Sequence, residues 1–444
     1  MSPKEFLIHE LGHVERTLQE TLRHDFPPGS TRDFYNECKT RLSTLRGLAN
    51  AVAPTNSALI SAYCEGLSKV SFLISLIERS HLGEFSWPFA QRLREIATPL
   101  CTEPGPKGDL TPIIHILADG GLTAYRIFPE SYLADGLRHR RILNIVFPRT
   151  LKHHVLLHVI FGHEIGHAAW AIPARRSELE RDVIAPLFAK TPLETEATAE
   201  AWITGARPAA VDVYLDKWNL RHQHQFSFTG KNNHSLYLWK QELFCDLVGT
   251  LVFGPSFACA HNTLLGTGNP TGEAFSTTHP PYGIRAPLVA KILARLNWLK
   301  FAASGNPALD KALGLAEMFA TTIPAAEAWY DIFPTANIDQ AVAGLQGILA
   351  RFQGAPYSPP TIATLADIVD KLLRRVPPCG AALPASGVPD LSVEDFRYVL
   401  YGGWVLWLGR TELPAEKALG FFEVNQLCDR GILQQIAVER ARSS

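Results

Sequence analysis

Two histidines one helical turn apart, with a glutamate beside the first, are the residues of this chain best suited to chemistry. They lie in Phe161-Gly-His-Glu-Ile-Gly-His-Ala-Ala-Trp170. At i and i+4 the imidazoles of His163 and His167 project from one helix face and can share a metal ion. Zinc suits that donor set, and Glu164 is placed to act as general base on a metal-activated water. The same spacing recurs in His9-Glu10-Leu-Gly-His13, so choosing between the copies comes first.

Context separates them. A peptide-hydrolysing zinc site needs strands ahead of its metal-binding helix, because extended backbone holds the substrate. Residues 112–117, 122–128 and 142–147 are β-branched or aromatic runs bounded by Gly or Pro and are expected strands. The last of them, ending near Phe147, is the expected partner of a substrate backbone. His9 has only eight residues before it. The apolar approach to His163 predicts a long buried helix over 151–170, stopped near Pro173, whereas His9 and His13 fall on the polar face of an amphipathic helix. The expected site is therefore the His163 copy, and the His9 copy is a solvated helix face.

Two histidines leave zinc short of a third protein ligand. Pro173 occupies the place six residues after His167 where a third histidine would stand. Further on, Trp239-Lys-Gln-Glu-Leu-Phe-Cys-Asp-Leu-Val-Gly249 sets Glu242, Asp246 and Gly249 at i, i+4 and i+7 of an otherwise apolar helix expected over 236–253. Acids on such a face are costly to bury unless paired or bound to metal. Glu242 is the candidate third ligand, and Asp246 the acceptor for the far nitrogen of a ligand histidine, fixing its tautomer. Gly166 and Gly249 would let the two helices approach closely. In Thr278-His-Pro-Pro-Tyr-Gly-Ile-Arg285, His279 is held by two prolines and suits donation to a developing oxyanion, with Arg285 assisting or anchoring that loop.

Taken in chain order, these three segments resemble the gluzincin metallopeptidases, and most of all the HtpX, Oma-like and CAAX prenyl-protease family, over about residues 140–290. The resemblance implies zinc held by His163, His167 and Glu242, Glu164 as general base, and Asp246 in support. It also implies that His279 and Arg285 stabilise the transition state, and that the fold is α+β, predominantly helical, with a zincin-like core around a small sheet. The expected activity is hydrolysis of a protein or peptide substrate by a zinc endopeptidase. A zinc hydrolase of small non-peptide substrates and a non-catalytic helical scaffold are the alternatives.

The rest of the chain frames these residues. Its 444 residues allow two or three domains. The pattern suggests a helical region over 1–100, a metallopeptidase core over 101–290 and a second helical region over 291–444. With 46% apolar and 19% charged residues the composition is that of a soluble globular protein. A net charge of -1 without a basic stripe excludes an evident nucleic-acid surface. No apolar run approaches the roughly 20 residues of a membrane span, and the charged first twenty residues lack a signal-peptide core. Seven scattered cysteines, never in a C-x-x-C pair, argue against a cysteine zinc module or a disulfide framework and point to the cytoplasm. The flanking helical regions are available to a regulatory partner or oligomer. The aromatic tract 396–408 is expected to be core, and His153, His154 and His158 ordinary histidines.

Overall fold

The computed structural model describes residues 2–23, 30–77, 79–80, 83, 85–103, 109–119, 125–129, 141–205, 235–266, 278–323, 331–351, 356–379, 394–412 and 419–443. They are predominantly helical with one small sheet, and they divide into two compact units, Met1–Lys152 and His153–Ser444. This differs from the three-part division read from the sequence. The strands group with the N-terminal helices, and both helices bearing the candidate metal ligands group with the C-terminal ones.

Unit 1 holds α1 (Pro3–Glu20), α2 (Ser30–Ala51), α3 (Ser57–Ile77), α4 (Trp87–Cys101), β1 (Ile113–Asp119), β2 (Arg126–Pro129) and β3 (Ile142–Pro148). A capping box starts α1: Glu5 N–H donates to Ser2 Oγ, and Ser2 N–H donates to the Glu5 carboxylate. The sheet runs β1-β3-β2, with β1 parallel and β2 antiparallel to β3. Ile113, Leu117, Ile142 and Val146 join the core of α1, α2 and α3. On the other face Phe147 meets Phe85 and Phe89, just before and within α4. Cover on both faces explains why β1 and β3 are apolar runs without alternation. It also overturns one expectation. β3 is central, and residues 143–146 are paired on both sides, so this strand has no free edge there for a substrate backbone.

One described helix, α3, reaches the length and apolarity of a membrane-crossing segment, where none was expected. Half of its apolar stretch is buried. Ile60, Leu67, Val70 and Ile74 face α1 and α2, and Glu65 pairs with Lys69 on the exposed side.

Unit 2 contains α5 (Val155–His158), α6 (Phe161–Trp170), α7 (Pro173–Leu179), a π-helical turn (Glu180–Ile184), α8 (Ala185–Phe188) and α9 (Glu196–Gly205). Then follow α10 (Ser235–Phe253), α11 (Pro255–His261), α12 (Tyr282–Leu296), α13 (Pro307–Ala320), α14 (Thr335–Arg351), α15 (Ile362–Leu373), α16 (Phe396–Leu408) and α17 (Phe421–Ser443). The polar loop expected around 221–234 lies outside the described residues. The single helix expected over 151–170 is broken in two at the β-branched pair Val159-Ile160. There the hydrogen bonds tighten from i−4 to i−3, with Ile160 donating to Leu157, Gly162 to Val159 and His163 to Ile160. The aromatic tract forms α16 and is core: Tyr401 and Trp404 are buried, and Trp404 Nε1 donates to the Leu156 carbonyl at 3.3 Å.

Candidate metal site

Close approach of α6 and α10 builds the site. A Cβ added to Gly166 would lie 2.8 Å from Cys245 Cα, and one added to Gly162 would lie 2.9 Å from Gly249 Cα. Nothing larger than hydrogen fits on that face of α6, so the helix backbones nearly touch. Numbers rise along α6 as they fall along α10, so the pair is antiparallel. This packing sets Glu242 and Asp246 of α10 against His163 and His167 of α6.

The donor atoms converge. His163 Nε2 lies 3.1 Å from His167 Nε2 and 3.2 Å from Glu242 Oε2, and His167 Nε2 lies 3.2 Å from Glu242 Oε1. Tetrahedral ligands at zinc bond lengths sit about 3.3–3.4 Å apart. Glu242 is buried, and its Oε2 has no hydrogen-bond partner among the described residues. A buried carboxylate oxygen beside two imidazole nitrogens at ligand spacing fits a zinc ion. Burial works to raise the Glu242 pKa, but His163, His167 and Arg285 outweigh it and hold the carboxyl far below its usual range. It is thus an anion, the form a metal requires.

A second layer supports the first. His163 Nδ1 donates to Asp246 Oδ1 at 2.9 Å, which leaves Nε2 turned toward Glu242. Burial alone would lower the His163 pKa; the Glu242 and Asp246 carboxylates reverse this and raise it to about 10. Arg285 of α12 donates from Nε to Asp246 Oδ2 and from Nη2 to Asp246 Oδ1, both at 2.7 Å. Its Nη1 is 3.6 Å from Glu242 Oε2, and the side chain is buried. Two of its donors lie on Asp246, so Arg285 anchors that acid.

Glu164 is half-buried, and its charge bears on the Cys245 thiol. His279 Nε2 reaches within 3.6 Å of Glu242 Oε1 from an exposed position, with Nδ1 2.7 Å from Thr278 Oγ1. Two residues near the site were not singled out from the sequence. The fully buried His261 of α11 places Nε2 3.5 Å from Asp246 Oδ1; its only sequence signal is a lone polar residue ending Phe257-Ala-Cys-Ala-His261. Cys245, three residues after Glu242, brings its sulfur within 4.8 Å of one donor nitrogen each on His163 and His167. Burial, Glu242 and Asp246 raise its pKa well above the usual thiol value, so it is a neutral thiol and a poorer ligand than the ionised Glu242.

The N-terminal copy is organised differently. Arg16 Nη2 lies 3.1 Å from His13 Nδ1, His13 Nε2 3.4 Å from His9 Nε2, and His9 Nδ1 3.4 Å from Glu10 Oε1. Arginine can only donate, so His13 carries its proton on Nε2, aimed at His9. The chain Arg16 to His13 to His9 to Glu10 is satisfied on an exposed helix face, although His9, Glu10 and His13 also bring one ligand atom each within 4.8 Å of one another. Comparison of the whole chain with protein-family models, with curated proteins and with solved structures finds no match.

Proposed function

We propose that this chain is a zinc-dependent hydrolase of peptide bonds, with a zincin-like arrangement of α6 and α10 at its centre. The observation that carries the reading is the convergence of His163, His167 and Glu242 at 3.1–3.2 Å, backed by Asp246 and Arg285. Bound zinc would supply Lewis acidity and an activated water. Glu164, next to His163 on the same helix, would take the water's proton and return it to the leaving amine. Asp246, clamped by Arg285, would hold the His163 ring in one tautomer and orientation. His279 would donate to the developing oxyanion from the exposed side.

Zinc content and peptide cleavage measured together test this reading. Wild type should purify with one zinc per chain and cleave a mixed peptide library. His163→Ala and Glu242→Ala should lose metal, Glu164→Gln should retain it while losing turnover, and His9→Ala should change neither. A protein without stoichiometric zinc is a scaffold and not this enzyme. Loss of zinc in His9→Ala would place the site at the wrong copy, and a zinc protein that cleaves no peptide would be a hydrolase of another class.

A further inference from the structure

Beyond the ligand triad, α6 runs on into a cavity of about 520 Å³ whose walls include Trp170, Pro173, Arg176, Glu180, Tyr237 and Gln241. That volume lies within the usual range of small-ligand pockets. Trp170 follows His163 and His167 at i+7 and i+3, so it shares their helix face and sits about 4.5 Å beyond His167 along the axis. Gln241 adjoins Glu242 on α10. An extended peptide advances roughly 3.3 Å per residue. A side chain one or two positions from a bond held at the triad would therefore reach this cavity.

Its chemistry is specific. The Trp170 ring packs at 5.3 Å on Phe244 and 5.7 Å on Tyr237, and its indole N–H donates to the Tyr237 hydroxyl. The Arg176 guanidinium lies 4.9 Å from the Tyr237 ring centroid and 5.9 Å from that of Trp170. A guanidinium held over ring faces by its charge keeps N–H donors for a planar, bidentate acceptor. Neighbouring arginines are already paired, Arg181 with Asp182 and Arg351 with Glu178, whereas exposed Arg176 makes no ion pair among the described residues. Glu180 adds one negative charge to the wall, and that charge also acts on Lys240. Lys240, on which Glu194 also acts, does not line the cavity, so the charged wall is Arg176 with Glu180, and a single guanidinium suits one carboxylate better than a dianion.

We propose that this cavity is a specificity subsite for a carboxylate-bearing residue of the substrate. Arg176 grips the carboxylate edge-on, and Trp170 and Tyr237 pack against the body of the residue. The carboxylate belongs to a Glu or Asp side chain or to a peptide C-terminus. The assignment to substrate selection rests on the peptidase reading; binding of a carboxylate peptide does not.

Peptides scanned with Glu, Gln or Lys at each position, ending in free acid or amide, separate the cases. In wild type, kcat/KM should favour the carboxylate at one position by about tenfold or more, mainly through KM, as expected for a charge-assisted bidentate contact. Preference for internal Glu identifies a side chain, and preference for free acid over amide identifies a C-terminus. Arg176→Ala should bring Glu and Gln peptides level, Arg176→Lys should keep only part of the preference, and Arg176→Glu should turn it toward Lys. Cleavage with no carboxylate preference, or a preference that survives Arg176→Ala, overturns the subsite while the peptidase stands. If no peptide is cleaved, anisotropy of the same labelled peptides on Glu164→Gln decides. Tenfold tighter binding of carboxylate peptides that vanishes in Arg176→Ala upholds the cavity, and equal binding overturns it.

Discussion

Replacing Asp246 by Asn tests the supporting layer, because its two effects can be measured apart. The buried carboxylate accepts from His163 Nδ1 at 2.9 Å and from Arg285 Nε and Nη2 at 2.7 Å each. Asn keeps one acceptor oxygen, and whichever way its amide turns, the NH2 group faces a donor. At least one charge-assisted hydrogen bond is lost, about 1.5–3 kcal/mol. Breaking a buried pair and leaving Arg285 uncompensated typically destabilises by about 3–5 kcal/mol. Glu242 Oε2, 3.6 Å from Arg285 Nη1, offers partial compensation. The expected loss is therefore at the lower end, about 3 kcal/mol, read as the urea midpoint of metal-free protein. Separately, His163 loses its fixed orientation, and zinc affinity should fall about 10- to 100-fold in competition with a chromophoric chelator. A double variant, Asp246→Leu with Arg285→Met, removes both charges and should recover most of the stability. It should not recover zinc affinity, since His163 Nδ1 still lacks an acceptor. Wild-type affinity in Asp246→Asn, or recovery of affinity along with stability in the double variant, would refute the orienting role.

Gly166→Ala drives a methyl group to 2.8 Å from Cys245 backbone and should destabilise by about 1–3 kcal/mol while weakening zinc. Gly47→Ala, with nothing within 4 Å in the helix α2, should instead gain about 0.5–1 kcal/mol; equal thermal shifts would contradict the close-approach argument. His279→Ala should keep zinc and lower kcat about 100-fold with little change in KM, whereas loss of zinc would make it a ligand. His115 of β1 is fully buried between Phe34, Ser80 and Asn144, and burial lowers its pKa to about 4. Between pH 4 and 6.5 the unfolded chain binds this proton and the folded one does not, so stability is complete above about 6.5 and falls as pH drops toward 4. His115 contributes up to about 3 kcal/mol of that fall. In urea titrations at pH 7.5 and 4.5, His115→Asn should show a shallower pH dependence than wild type, and equal slopes would contradict this.

What the sequence made legible was local and chemical. Helical period placed His163 with His167 and Glu242 with Asp246 on their helix faces, because i, i+4 spacing is a property of the helix and needs no tertiary knowledge. Gly166 was readable as a contact point, although its partner proved to be Cys245 and Gly249 faces Gly162. The break at Val159-Ile160 was not readable, since an apolar run looks the same whether its hydrogen bonds close at i−4 or i−3. The strand runs were readable, but not their order; that β3 lies between β1 and β2 depends on pairing across residues far apart in the chain. For Arg285 the sequence left two roles open, and the fork lying on Asp246 was not readable because it joins helices far apart in the chain. His261 escaped notice because a single histidine ending an apolar run carries no period, and Cys245 because a cysteine among Leu243, Phe244 and Leu247 reads as part of the apolar surface.

The two His-Glu-x-x-His copies show why the motif alone is an insufficient criterion. Both set two imidazoles one turn apart, with nitrogen separations of 3.1 and 3.4 Å. What differs is what faces them. Around His163 a second helix supplies Glu242 and Asp246, and the one nearby arginine has its charge matched by Asp246. The remaining field is negative, buried and directed at the shared nitrogens, which favours a divalent cation. Around His13 a charged group stands at 3.1 Å, the exposed Arg16. A cation there must approach a fixed positive charge, with no third ligand from a facing element among the described residues to repay the loss of hydration. In water, where ions are already well solvated, two histidines and an exposed Glu10 on one helix do not outweigh that. The discriminating feature is thus the acidic face of α10, and the search for such a site in any chain should begin with the helix that opposes the histidines.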